Sequence, residues 1–284
     1  MIPPNVVLDP MLQRWLQEDI GRGDRTTAGL GDIIEQPHRA VWIAKAPGVL
    51  AGLPIAQRVF TLLDAATEFT PLVAEGSDCE LGTAIAEITG QLGALLTGER
   101  VALNLVMRLS GIATLTRQYV DQIADLPAQL VDTRKTTPGL RLLEKYATQV
   151  GGARNHRLGL DDGVMIKDNH IAAAGSIAAA VAHIRQDMPY PLTIEVETET
   201  LAMVEAALAA QVDIIMLDNM PPSEMAQAVT LIRQTQPHVK IEASGNVTLQ
   251  TLRAVAETGV DYISTSAPIT RSPWLDLSMR IQQS

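Results

Sequence analysis

The chain reads as α/β, a run of βα units whose strands form a parallel sheet, and three observations predict it. After Pro127, short apolar segments alternate with helical ones: QLVDT, GVMIK, LTIEVE, VDIIMLD and VKIEASG each precede a helix-like stretch, and VDYISTS precedes the C-terminal tail. Such alternation implies parallel strands joined by crossover helices. The segments are near-continuous Val/Ile/Leu runs, as in strands covered on both faces. Their C-terminal ends are polar throughout: Asp132-Thr133-Arg134-Lys135, Lys167-Asp168-Asn169, Glu195 with Glu197, Asp218-Asn219, Ser244-Gly245-Asn246 and Ser264-Thr265-Ser266. The opposite ends, at Gln129, Leu192 and Val239, show no comparable set. Active sites of α/β barrels lie at strand C-termini. An open doubly wound sheet would also place ligands there, but six units with a possible seventh strand can close, so a closed barrel is expected. No Gly-x-Gly-x-x-Gly turn follows the first of these strands, which weakens the dinucleotide-binding alternative.

The elements follow in order. Pro10 and the following MLQRWLQEDI predict a short amphipathic helix, which GRGDRTT breaks. Residues 39–51 alternate as a strand that turns at Pro47-Gly48 and resumes; 52–63 read as a helix and 83–89 as a strand. A long helix is expected over 92–123, with Leu95, Val101, Leu105, Leu109 and Ile112 near helical spacing and with Gly98 and Gly111 as points where it could bend. The helices of the βα units are expected over 138–148, 171–185, 201–209, 223–234 and 249–257.

Composition narrows the function. The 284 residues carry a net charge of −10, and an acidic surface excludes non-specific nucleic-acid binding, which needs a basic face. One cysteine, Cys79, precludes an intrachain disulfide and fits a reducing, cytoplasmic location. No run of about 18 apolar residues is present and the N-terminus lacks a basic start before an apolar core, so neither a membrane span nor a signal peptide is expected.

Against that acidity, Arg134, Lys135, His156, Arg157 and Lys167 crowd one stretch beside apolar runs and glycines. Guanidinium forks clamp carboxylates or phosphates with two hydrogen bonds, and lysine supplies a compact charge, so the cluster predicts an anion site. The plain alternative is solvent-facing pairs with Asp161, Asp162 or Glu144. His156 is a candidate hydrogen-bond donor to a substrate carboxylate; His170 is expected to cap or orient its own segment. Glu195 and Asp218, read as ending successive strands, suit either Mg²⁺ held mostly through water and phosphate or pairing with the cations. Ser244-Gly245-Asn246 and the Ser264–Ser266 turn offer backbone N–H groups to a phosphate, with a helix N-cap as the simpler role. Arg100, on the long helix among Leu103, Val106 and Met107, is expected at a buried or interface-facing surface.

Taken together, EDIGRGDRTT, GERVALNLVMRLSGIAT, DTRKTTPGLR, GGARNHRLGLDDGVMIKDNH, IEVET, IMLDN, EASGNV and GVDYIS resemble, nearly end to end and in order, the quinolinate phosphoribosyltransferase family. The resemblance implies an N-terminal α/β sandwich over 1–114, rejoined by a tail at about 273–284, and a seven-stranded α/β barrel over 115–272. It implies transfer of phosphoribose from phosphoribosyl pyrophosphate to quinolinate with loss of CO₂, with Mg²⁺ as cofactor. It also implies a homodimer, or a higher homo-oligomer, in which Arg100 reaches the neighbouring active site. Catalysis falls to Lys135, Glu195 and Asp218, with Glu195 and Asp218 toward the metal. Substrate contact falls to Arg100, Thr133, Arg134, Lys135, His156, Arg157, Lys167, Glu195, Asp218, Ser244, Gly245, Asn246, Ser266 and Ala267. Many members carry Gly-Gly where this chain has Gly245-Asn246, and Gly-Ala-Leu-Thr-His-Ser where it has SAPITRS over 266–272. Two other readings remain: a Schiff-base aldolase-type barrel using Lys167, and a non-catalytic phosphosugar-binding protein.

Overall fold

The computed structural model describes residues 2–282. Its elements run α1 (Asn5–Ile20), α2 (Arg25–Ala28), a 3-10 turn (Gly31–Glu35), β1 (Pro37–Ala44), β2 (Gly48–Val49), α3 (Leu53–Leu63), β3 (Glu68–Pro71), β4 (Asp78–Cys79), β5 (Ala84–Gln91) and α4 (Leu92–Asp121). The βα units follow as β6 (Gln129–Val131), α5 (Arg141–Val150), β7 (Val164–Ile166), α6 (Asp168–Ala174), α7 (Ile177–Asp187), β8 (Ile194–Thr198) and α8 (Leu201–Ala209). The remainder are β9 (Ile214–Asp218), α9 (Pro222–Thr235), β10 (Lys240–Ser244), α10 (Leu249–Ala256), β11 (Tyr262–Ser264), α11 (Ala267–Thr270) and β12 (Leu277–Ile281). They cluster into two compact units: 1–117 with 142–152 and 271–284, and 118–141 with 153–270. Helix α5, read in the sequence as one of the barrel helices, therefore groups with the first unit.

The first unit is built on an antiparallel sheet of order β12-β1-β5-β3. The C-terminal tail returns as β12 and pairs with β1, from Ala40↔Ile281 to Ala44↔Leu277. Trp42, Phe60 and Phe69 pack in its core, ring centroids 5.8 to 6.2 Å apart. Helix α1 starts at Asn5, before Pro10, not after it. Pro10 gives up one helical hydrogen bond, and burial of Leu8, Leu12 and Leu16 on one face carries the helix through it. Gly98 and Gly111 do not break α4. A Cβ on Gly111 would lie 1.9 Å from the Pro273 carbonyl oxygen, and one on Gly98 2.9 Å from Phe60, so each glycine lets another segment approach closely.

The second unit holds six parallel strands in the order β6-β11-β10-β9-β8-β7. A seventh strand exists only as a bridge: Arg154 pairs with Val131 on the free edge of β6, with Arg154 N–H donating to Leu130 and Asp132 N–H to Arg154. The ends of the order, 153–155 and β7, are consecutive in the chain and linked by 156–163. The helix expected over 171–185 is two, α6 and α7, because Gly175 in the left-handed region ends one and Ser176 caps the next by accepting from Ala179 N–H.

The strand faces differ from the reading of continuous apolar runs. Paired residues of neighbouring strands share a face. Met165↔Glu195, Glu197↔Met216, Glu242↔Met216 and Ser244↔Asp218 therefore put the polar residues together on one face. Val196, Ile215, Leu217, Ile241, Ala243 and Ile263, all buried, form the other.

Candidate active site

The polar strand ends are present as expected. Asp132 follows β6, Lys167 follows β7, and Asp218 and Ser244 close β9 and β10. Asp132 ties the first end to the irregular segment after the seventh-strand bridge. Its carboxylate accepts from Asn155 Nδ2 at 2.6 Å and from the His156 backbone N–H at 2.9 Å. The two strongest stretches of the cationic motif, DTRK and NHR, are thereby held side by side.

Glu195 is not a strand end. It is the second of the five residues of β8, is 3% exposed, and lies one step of the strand beneath Glu197. Its carboxylate meets the His156 ring: Nε2 is 3.2 Å from Glu195 Oε2 and 3.4 Å from Glu242 Oε2. The second oxygens of both glutamates are buried without a hydrogen-bond partner. The ring's Nδ1 accepts the Arg157 backbone N–H at 2.7 Å. Both ring nitrogens thus face protein partners, and a substrate carboxylate would have to displace one. Burial pulls the imidazole down and its bonds to Glu195 and Glu242 push it up, but a ring that accepts the Arg157 N–H at Nδ1 has room for one proton only, the one on Nε2 between the carboxylates. Burial pushes Glu195 up, and the like charge of Glu242 adds to it. The cluster holds on to a proton at neutral pH.

Nearer the strand ends lies Glu197, which carries the ion pair with Lys167. Asp218, half-buried, accepts from Asn219 Nδ2 at 2.8 Å. Glu197, passed over in favour of Glu195, is thus the β8 carboxylate at the level of the cations. Arg157 donates from Nη1 to Gly163 O at 2.7 Å. Burial, then the nearby Arg134, lowers its pKa, while Glu195 and Glu197 pull the other way. Arg134 is near enough to Arg157 to act on it, Glu197 acts on Arg157 and pairs with Lys167, and Lys135 is exposed. Two of the three acids weighed as plain partners bond other groups, Glu144 with Arg108 and Asp162 with the Leu158 N–H. His170 has its expected structural role, its Nδ1 accepting from Lys167 N–H at 2.9 Å.

The late turns separate. Ser244-Gly245-Asn246 is not the cap of α10; Thr248 is, through a reciprocal capping box with Thr251. Gly245 and Asn246 adopt φ of 98° and 50°, and a Cβ on Gly245 would lie 2.7 Å from Asn219 N. This tight turn therefore needs glycine. At the last turn, Ala267 N–H donates to Thr265 Oγ1 at 3.2 Å, and α11 has only four residues, too short to add much of a dipole. Arg100 is exposed on α4 in the first unit, while Arg108, two turns on, makes the interior ion pair with Glu144 at 2.8 Å.

Two residues escaped the sequence reading, Glu197 as a site member and Glu242. Their signal is an acid inside an apolar strand, in IEVET and again in IEAS.

Comparison with known proteins agrees along the whole chain. Residues 24–110 match the pattern described as "Quinolinate phosphoribosyl transferase, N-terminal domain", and 112–280 the corresponding C-terminal domain. A Synechocystis protein named probable nicotinate-nucleotide pyrophosphorylase [carboxylating] is 64% identical over 99% of this chain and 94% of its own length. The human nicotinate-nucleotide pyrophosphorylase [carboxylating] is 38% identical over 99% and 93%. The crystal structure of NadC from Streptococcus pyogenes superposes with a TM-score of 0.94 at 42% identity, covering 99% of both chains. The chain belongs to the quinolinate phosphoribosyltransferase family.

Proposed function

We propose that this chain transfers the phosphoribosyl group of phosphoribosyl pyrophosphate to the nitrogen of quinolinate, with loss of the 2-carboxylate as CO₂, giving nicotinate mononucleotide and pyrophosphate. The observation that carries this is the set of cations, Lys167 after β7, Arg134 and Lys135 after β6 and Arg157 on the irregular segment beside them, with the acids Glu197 and Asp218 on one face of the neighbouring strands β8 and β9. Both substrates are polyanions. Arg134 and Arg157, two guanidinium groups close enough to repel, are stabilised when a dicarboxylate enters between them. The Ser244–Asn246 turn presents backbone N–H groups to the 5-phosphate. Glu197 and Asp218 face the ribose, where positive charge develops as the bond from C1 to the pyrophosphate oxygen breaks. The residues bind, orient and neutralise; no covalent nucleophile is required.

Glu197 and Asp218 also fit Mg²⁺. They are hard oxygen donors from neighbouring strands, half-buried and thus open to water, whereas buried Glu195 is engaged with His156. When bound, the ion neutralises the leaving pyrophosphate. The exposed Arg100 is offered to the site of a second subunit, in a homodimer working in the cytoplasm; among the described residues no helix is long and apolar enough to cross a membrane.

A Schiff-base reading is disfavoured by Lys167. Its ammonium is tied to Glu197 in an ion pair instead of standing as an isolated amine in an apolar pocket. Incubation with quinolinate, phosphoribosyl pyrophosphate and Mg²⁺ should yield nicotinate mononucleotide. Folded protein that binds both substrates without turnover would favour the binding-protein reading, and borohydride-trapped adduct at Lys167 the aldolase one.

A further inference from the structure

The cations of the site sit on two kinds of backbone. Lys167 directly follows a strand and opens α6, so regular structure fixes it. Arg157 lies in 155–163, which contains neither helix nor strand. A guanidinium on such a segment needs something else to aim it. Beneath it is the buried trio of His156, Glu195 and Glu242, whose ligating atoms all lie within 4.8 Å of one another.

Such a trio invites a metal, and the hydrogen bonds argue against one. A histidine that binds a metal through Nε2 carries its proton on Nδ1 and donates it to an acceptor. Here Nδ1 receives the Arg157 N–H, so the ring's proton is on Nε2, pointing between the two carboxylates. The trio is a hydrogen-bonded strut. One end is anchored on β8 and β10, at residues 3% exposed. The other end is the main-chain nitrogen of Arg157. Asp132 braces the same segment from β6 through the His156 N–H.

We propose that Glu242 is a positioning residue that acts through His156 to aim Arg157 at the anionic substrate. Glu242 has no place in the chemistry of the site as described above; its carboxylate is buried in the middle of β10 and its contact is with the imidazole. Glu195 shares the task, which accounts for an acid placed a layer below the substrate. The inference rests on Arg157 being a ligand for the substrate dicarboxylate.

The test is a double-mutant cycle on Glu242→Gln and Arg157→Ala, read first as the dissociation constant of quinolinate by calorimetry and then as kcat and KM. Glu242→Gln keeps the shape of the buried side chain, so the variant should fold; thermal melting checks it. In the wild-type background it should weaken quinolinate binding about 10-fold, as loss of alignment of one charge-assisted hydrogen bond would. In the Arg157→Ala background the same change should have less than about a 2-fold effect, since residues acting through one another are not additive. A role confined to stability would leave the affinity of folded protein unmoved. Unchanged binding in Glu242→Gln, or equal losses in both backgrounds, would overturn the proposal. Because binding is read separately, absence of turnover in the wild type would count against the proposed reaction and leave this result standing.

Discussion

Glu75 and Glu144 in the first unit and Glu195 and Glu242 in the second are carboxylates drawn out of water, and their surroundings differ. Glu75 accepts the Gly52 and Leu53 N–H groups at the start of α3 and the Tyr146 hydroxyl. Glu144, fully buried, takes the Arg108 guanidinium from Nε and Nη2. These acids are saturated. Glu195 and Glu242 share one imidazole N–H, and each keeps a buried oxygen without a partner. Burying a polar atom unsatisfied costs about 1–3 kcal/mol. A fold tolerates that where the acids serve something besides stability, so under-satisfied acids mark the working unit and saturated ones the scaffold.

The largest effect on stability expected from breaking this contrast is in the scaffold. Glu144→Ala breaks the ion pair between this fully buried acid and the half-buried Arg108 and should cost about 3 kcal/mol in denaturant unfolding, with turnover per folded molecule preserved. In the working unit the same kind of change should act the other way round. Arg157→Ala should cost about 2–4 kcal/mol in kcat/KM, on the scale of losing one transition-state donor, with little change in melting temperature. Glu195→Gln sharpens the comparison further: burial and Glu242 both disfavour its charge, so the melting temperature should hold or rise while activity falls. A marked loss of stability there would place Glu195 with the scaffold.

How much of this was legible in the chain follows the range of the interactions. The strand-end row could be read because each polar cluster adjoins its own strand. The role of Glu242 could not: its partner His156 is far away in sequence, and only the curvature of the sheet brings β8 and β10 to one ring. Alternation within the strands was visible in IEVET and IEAS yet masked by the buried aliphatic face. Strand β12 depends on pairing with β1, at the opposite end of the chain, and the short β3 and β4 on the nearer β5 and β2, partners outside their own segments. The break between α6 and α7 was written locally in Gly175-Ser176.

The smallest predicted effect belongs to the GRGDRTT segment. Asp24 caps α2 by accepting the Thr27 N–H at 2.9 Å, and Thr97 of α4 reaches it at 3.3 Å. The Thr27 hydroxyl and N–H hold its carboxyl below the ordinary 3.8. Asp24→Ala should cost about 1 kcal/mol near neutral pH, the usual worth of an N-cap. For a depressed carboxyl that contribution is full above the unfolded pKa and fades as pH falls through the folded one. The gap between variant and wild type should therefore close below about pH 3.8.

The most direct measurement of the central claim is product stoichiometry. Wild-type protein given quinolinate labelled in its 2-carboxylate, with phosphoribosyl pyrophosphate and Mg²⁺, should release labelled CO₂ and pyrophosphate in equal amounts, and neither when one substrate is omitted. Pyrophosphate without CO₂, or no release from folded protein that binds both substrates, would contradict the account.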